Sequence, residues 1–171
     1  MNFIKVAFAS ILMSCFASQA LAQDSGAYIN IGVDAIEFDA YTLGGKIGYN
    51  FNDYFGVEGQ AAFGIVDDTE TFFGEEFNVG VDTLFGGFGV VRFPVSQSFD
   101  VFGRVGYQTT KIEASGGGVS ESDSFDGLAL GAGGQFFFTN NDGIRVEYTY
   151  LDLPEDSGNG NVFSVSYVRN F

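Results

Sequence analysis

The sequence predicts an all-β chain, an eight-stranded antiparallel up-and-down transmembrane β-barrel. Three observations lead there. From residue 23 onward apolar and polar residues alternate with period two, the spacing that puts one kind of side chain on each face of a strand. Glycine, 25 of 171 residues, interrupts every window in which a helix would need continuity, and no apolar run after residue 22 approaches the roughly 18 residues of a membrane-spanning helix. The segments joining the alternating runs are by turns short and long. Strands are expected near 26–34, 42–50, 54–66, 78–93, 100–112, 126–138, 143–151 and 162–171, with no composition break that would mark a second domain.

The first segment reads as an address. Lys5 supplies a positive start, residues 6–17 are apolar, and Ala20-Leu21-Ala22 before Gln23 is a small-x-small cleavage site, so residues 1–22 are expected to be a cleaved signal peptide. Leu12-Met13-Ser14-Cys15 is a faint lipobox, but Met13 and the better site at 20–22 argue against it. Cleavage removes Cys15, the single cysteine, so disulfides play no part in the remaining domain, 23–171.

Each strand then shows its parity. Ile29, Ile31 and Val33 share a face against Asn30 and Asp34; Leu43, Ile47 and Tyr49 oppose Lys46 and Asn50. Phe55, Val57, Ala61, Phe63 and Ile65 oppose Glu58 and Gln60. In the fourth strand Val81, Phe85, Val91 and Phe93 oppose Asp82 and Arg92, with Leu84, Phe88 and Val90 blurring the polar face. Val105 and Tyr107 oppose Arg104 and Gln108; Leu128, Leu130, Ala132, Phe136 and Phe138 oppose Gln135. Ile144, Val146, Tyr148 and Tyr150 oppose Arg145, Glu147 and Thr149; Phe163, Val165, Tyr167 and Phe171 oppose Ser164, Ser166 and Asn170.

Alternation does not say which face points inward: a soluble lipocalin-like calyx and a membrane barrel are both closed eight-stranded sheets, and the second inverts the first. Four features favour the membrane version. Connections 51–53, 94–99 and 139–142 are short, whereas 35–41, 67–77, 113–125 and 152–161 are mostly longer. Aromatics crowd the strand ends, as in an interfacial girdle. The polar face is rich in glycine, which leaves room in a narrow lumen. The final strand ends on Phe171.

With its leader, the opening strand Ala27-Tyr28-Ile29-Asn30-Ile31-Gly32, the Arg92-Phe93-Pro94 close of the fourth strand and the ending Val165-Ser166-Tyr167-Val168-Arg169-Asn170-Phe171, the chain resembles the small eight-stranded outer-membrane β-barrels of Gram-negative bacteria, OmpA-transmembrane-domain-like and opacity-protein-like, over essentially all of 23–171. That resemblance implies the cell outer membrane as location, lipid and lipopolysaccharide as surroundings, and a C-terminal signal at Tyr167 and Phe171 read by the barrel-insertion machinery. Arg169 departs from the pattern, on the lipid-facing parity, and is expected to snorkel into headgroups. The resemblance also implies an ionic network inside the narrow barrel, here Lys46, Arg92, Arg104 and Arg145 with Glu58, Asp82 and Glu147, and Asp126 at its rim. Such a network reads as a water-laced plug or as a narrow ion or solute channel.

Charge narrows the function. The chain carries 22 acids against 7 bases and no His. An acidic chain offers nucleic acid no electrostatic footprint. Without His a Ser-His-Asp triad or a His-ligated zinc site is impossible. Gly116-Gly117-Gly118 lacks the Lys and helix of a phosphate loop. No enzyme activity, cofactor or metal is therefore expected. The four longer connections hold 13 acids and no Lys or Arg. They read as a solvated, self-repelling surface, with divalent cations or an adhesive contact to a host or surface ligand as alternatives. The expected role is structural: a porin-like barrel serving envelope integrity or surface presentation.

Overall fold

The computed structural model describes residues 26–36, 40–66, 68–72, 75–116, 119–152 and 159–171, with the side chains of 66–81 and 112–122 outside that description. Ala20, Ala22 and Gln23 fall outside the described residues, as do the loop acids Glu37, Asp39, Asp67, Glu155 and Asp156. The elements are all strands: β1 (Gly26–Ile36), β2 (Ala40–Asn50), β3 (Phe55–Val66), β4 (Asp68–Phe72), β5 (Glu75–Ser96), β6 (Phe99–Gly116), β7 (Val119–Phe137), β8 (Asp142–Asp152) and β9 (Asn159–Asn170).

Every pairing is antiparallel, in the order β3-β2-β1-β9-β8-β7-β6-β5-β4, and β3 also pairs with β5, which closes the ring. β3 and β4 follow one another along the same flank of β5, so nine segments make eight walls. The first and last strands meet in register from Tyr28↔Asn170 to Ile36↔Val162. Closure pairs the backbone groups within the sheet, which lipid could not satisfy.

Three tight turns bound one end. At 51–54 the Asn52 side-chain oxygen accepts from the backbone N–H of Tyr54 at 2.8 Å and of Phe55 at 2.9 Å, the local bonding that makes Asn a turn residue. At 138–141 the Thr139 hydroxyl oxygen accepts from the Asp142 N–H at 2.9 Å, and the hydroxyl donates to the Asp142 carboxylate at 2.8 Å. Between β5 and β6 the pairing shifts register at Pro94/Ser96, a bulge that absorbs a proline the ladder could not.

The other end differs from expectation. Ile36↔Ala40 pairing leaves only 37–39 between β1 and β2, so the first connection is short. Segments 67–77 and 113–125 are largely strand: β4 pairs with β5 down to Phe72↔Glu75, and β6 with β7 out to Gly116↔Val119. Backbone pairing continues past the point where the alternation of apolar and polar residues fades, so hydropathy ended these strands too early.

The faces are inverted relative to a soluble protein. Ile47 is 65% exposed while its neighbour Lys46 is 6% exposed. Phe85, Val105, Leu130, Val146 and Val165 point out, while Asn30, Glu58, Arg104, Arg145 and Glu147 are buried. That orientation overturns the soluble calyx. Inside, five of the largest side chains each lie across a glycine of the adjacent strand: Tyr28↔Gly48, Phe88↔Gly106, Phe102↔Gly133, Arg104↔Gly131 and Phe137↔Gly143. A Cβ at Gly48 would stand 2.1 Å from the Tyr28 ring, and one at Gly131 2.9 Å from Arg104 Cγ. Leu84, Phe88 and Val90, which blurred the fourth strand, are inward and buried. Toward the end opposite the tight turns, Phe88, Ala129, Leu151 and Val162 form a small apolar cluster with Ile36 against it.

Candidate functional site

Period-two parity carries one to three polar residues from each of five strands to the same level of the lumen: Tyr28 from β1, Lys46 from β2, Glu58 and Gln60 from β3, Arg104 from β6, and Arg145, Glu147 and Thr149 from β8. Lys46 Nζ lies 2.8 Å from Glu147 Oε1, and Arg104 Nη2 lies 2.5 Å from the same oxygen. Arg104 Nη1 is 2.8 Å from Glu58 Oε1, and Arg145 spans both acids, with Nη1 2.8 Å from Glu58 Oε2 and Nη2 2.5 Å from Glu147 Oε2. Their side chains are between 0% and 5% exposed.

Neutral groups complete the layer. The Tyr28 hydroxyl donates to Glu58 at 2.9 Å, Arg104 donates to Gln60 at 2.8 Å and to Thr149 at 3.0 Å, and the Thr149 hydroxyl donates to Glu147 at 3.1 Å. The guanidinium carbons lie over aromatic faces, Arg104 at 3.9 Å from the Phe88 centroid and Arg145 at 3.8 Å from Phe102. Cation–π contact of this kind is worth about 2 kcal/mol when desolvated. Three cations against two carboxylates leave the layer formally positive, and every charge in it has a partner. That is the condition under which buried ions are tolerated.

The layer separates two small voids. One, toward the tight turns, is lined by Tyr28, Asn50, Arg92, Phe102, Gln135 and Arg145; the other by Asn30, Asp34, Lys46, Gln60 and Ser166. Neither has room for more than about one water.

Of the residues singled out from the sequence, the structure brings Lys46, Glu58, Arg104, Arg145 and Glu147 into one cluster. Arg92 stands apart, 3.8 Å from Asp100, with its Nε donating to the Asp53 carbonyl at 3.3 Å. Asp82 is not a lumen residue. The β5–β6 register shifts between Val81 and Thr83, Asp82 occupies that bulge, and its exposed carboxylate lies 3.5 Å from Lys111. One inserted residue breaks the parity on which the expectation rested. Asp126 is exposed and joins no described ion pair. Gln60 and Thr149 were placed on the polar face, and Phe88 among the residues that blur it, without being assigned to the network, and Tyr28 and Phe102 were given no role; the glycines opposite the three aromatics and Arg104 were the available signal.

At the turn end the Tyr167 hydroxyl donates to Asp142 and Arg169 Nη1 lies 3.1 Å from the same carboxylate, so Arg169 has a protein partner at the membrane edge. The Phe171 N–H donates to the Ala27 carbonyl at 2.9 Å, extending the β1–β9 seam.

The model of the outer membrane protein beta-barrel domain matches residues 8–171. A 22 kDa outer membrane protein of Rhizobium leguminosarum bv. viciae is 30% identical over 156 residues, covering 85% of this chain and 70% of that protein. Among solved structures, the N-terminal β-barrel domain of Pseudomonas aeruginosa OprF superposes with a TM-score of 0.67 at 16% identity, over 88% of this chain and 100% of the domain. Ail, the attachment invasion locus protein of Yersinia pestis, in complex with the heparin analogue sucrose octasulfate, superposes with a TM-score of 0.62 at 22% identity, over 86% of this chain and 98% of Ail. At these identities the two structures speak for the fold alone.

Proposed function

The chain belongs to the outer membrane protein beta-barrel domain family and resides in the outer membrane, and from that premise we propose that it is a non-enzymatic barrel with a closed lumen, serving the envelope as a rigid wall that carries acidic segments outside. The observation that carries this reading is the buried layer of Lys46, Arg104, Arg145, Glu58 and Glu147, whose side chains fill the bore at that level and are committed to one another. Eight strands enclose a space that side chains alone can fill. Residues 1–22 direct export and are cleaved in its course, and the Tyr167 and Phe171 end is the segment the insertion machinery reads. Purified protein in planar bilayers is expected to pass no discrete current. Current steps in the native protein that change in Arg92→Ala or Arg104→Ala would replace the wall with a channel.

A surface-binding role is the second reading, favoured by the charge of the outer connections. Ail was solved with a polysulfated sugar analogue; the connections here hold 13 acids and no base. A polyanion is therefore an unsuitable ligand, and a basic partner is the suitable one.

A further inference from the structure

We infer that the free edge of β7 beyond the barrel rim captures an extended basic peptide by strand addition. β7 is paired with β6 along its whole length, from Gly116↔Val119 to Phe99↔Phe136. On its other side β8 reaches only as far as Leu128↔Asp152. Val119–Gly127 therefore stands above the rim with one flank paired to β6 and, among the described residues, no strand on the other. β4, β5 and β6 continue the same sheet across that side of the rim, and β4 is a shorter margin of five residues.

Nine residues at about 3.4 Å each give an edge of roughly 30 Å. In an antiparallel ladder alternate residues turn both N–H and C=O to the same flank, so four or five residues of this edge present unpaired backbone groups to an incoming strand. Natural edges are commonly blunted by proline, by charged side chains, lysine above all, or by a bulge. Residues 119–127 contain neither Pro nor Lys, and the β6–β7 register runs without a shift.

What the segment does carry is Glu121, Asp123 and Asp126, with no base. The nearest base along the paired strand, Lys111, lies 3.5 Å from Asp82. Three acids oppose a second copy, because two such edges would bring like charges together, and β4 adds Asp68 and Glu70 at the other margin. They favour a strand that alternates Lys or Arg with small residues, whose backbone completes the ladder and whose cations meet the carboxylates.

The full chain in lipid nanodiscs tests this with a fluorescent decapeptide of alternating Lys and Thr. Two further versions carry N-methyl groups on only the odd or only the even residues. Strand addition predicts that the parent peptide binds, that one methylated version loses about 10-fold or more in affinity, and that the other binds like the parent. The triple variant Glu121→Lys, Asp123→Lys, Asp126→Lys is expected to lose at least about 10-fold while still folding, as its heat-modifiable gel migration will report. The β4 pair Asp68→Lys, Glu70→Lys should change affinity by less than about 3-fold. Absence of binding overturns the proposal, as does equal binding by both methylated versions, which would mean charge attraction alone. Slow hydrogen exchange without peptide at the alternate residues of 119–127 whose N–H groups do not face β6 also overturns it, the edge then being covered by this chain or, if sedimentation shows a dimer, by a second copy.

Discussion

Glu147 touches Lys46, Arg104 and Arg145 at once. Replacing it with Ala would take from Lys46 its described partner and leave Arg104 and Arg145 sharing Glu58, and breaking a buried pair from one side costs about 3–5 kcal/mol. Glu147→Ala is accordingly expected to lower unfolding free energy by that order, read from urea titrations followed by far-ultraviolet circular dichroism, since the chain has no Trp. The glycines divide by the same logic. Gly48→Ala drives a methyl into the Tyr28 ring, whereas a Cβ at Gly87, on the outward face, meets nothing within 4 Å. The first should destabilise by about 1–3 kcal/mol and the second shift the urea midpoint little, within about 0.5 kcal/mol. Pairing Gly48→Ala with Tyr28→Ala should recover part of the loss, which identifies the ring as the obstacle. Parity made Lys46, Glu58, Arg104, Arg145 and Glu147 legible in the sequence, because each sits on an unbroken stretch of strand. Asp82 was misplaced because a bulge carries no hydropathy signature. Tyr28 was overlooked because an aromatic on a polar face reads as an exception until the glycine opposite it is noticed.

Strand centres were legible and strand ends were not, for one physical reason. Within the bilayer one face of each strand must be greasy and the other polar, so period two is written plainly; above the rim that demand lapses, the alternation fades and backbone pairing alone defines the strands. β6 and β7 therefore run to Gly116 and from Val119, past the point where the sequence pattern stops. The projecting hairpin is expected to be dispensable for the barrel. Ile112 and Asp123 face one another across it, so replacing 113–122 by Asn-Gly, a two-residue turn suited to such a pair, should leave the barrel folded with less than about 1 kcal/mol of change. A larger loss in the same urea assay would mean that the hairpin props the barrel wall.

At the scale of the molecule, the densest ion pairing of the barrel is buried inside, and most of the charge that meets water lies at the end opposite the tight turns. Buried pairs are screened little by salt, whereas exposed ones fade beyond a Debye length of about 10 Å at 0.1 M. Raising sodium chloride from about 0.05 M to 0.5 M should therefore leave the unfolding midpoint nearly unchanged, and a steep decline would place the stabilising charges at the surface. Inverting the usual arrangement also explains why the ordinary hydrophobic core is so small here: Phe88, Ala129, Leu151 and Val162 are the described cluster of that kind, because lipid takes over the role of an interior for the outward side chains.

The seam from Tyr28↔Asn170 to Ile36↔Val162 joins the earliest strand to the latest. A growing polypeptide cannot seal itself until β9 has been delivered, and until then two raw margins stay open to neighbouring chains. Sealing is thus the last act of biogenesis, and a chain truncated before β9 would be cargo for proteolysis instead of a smaller cylinder.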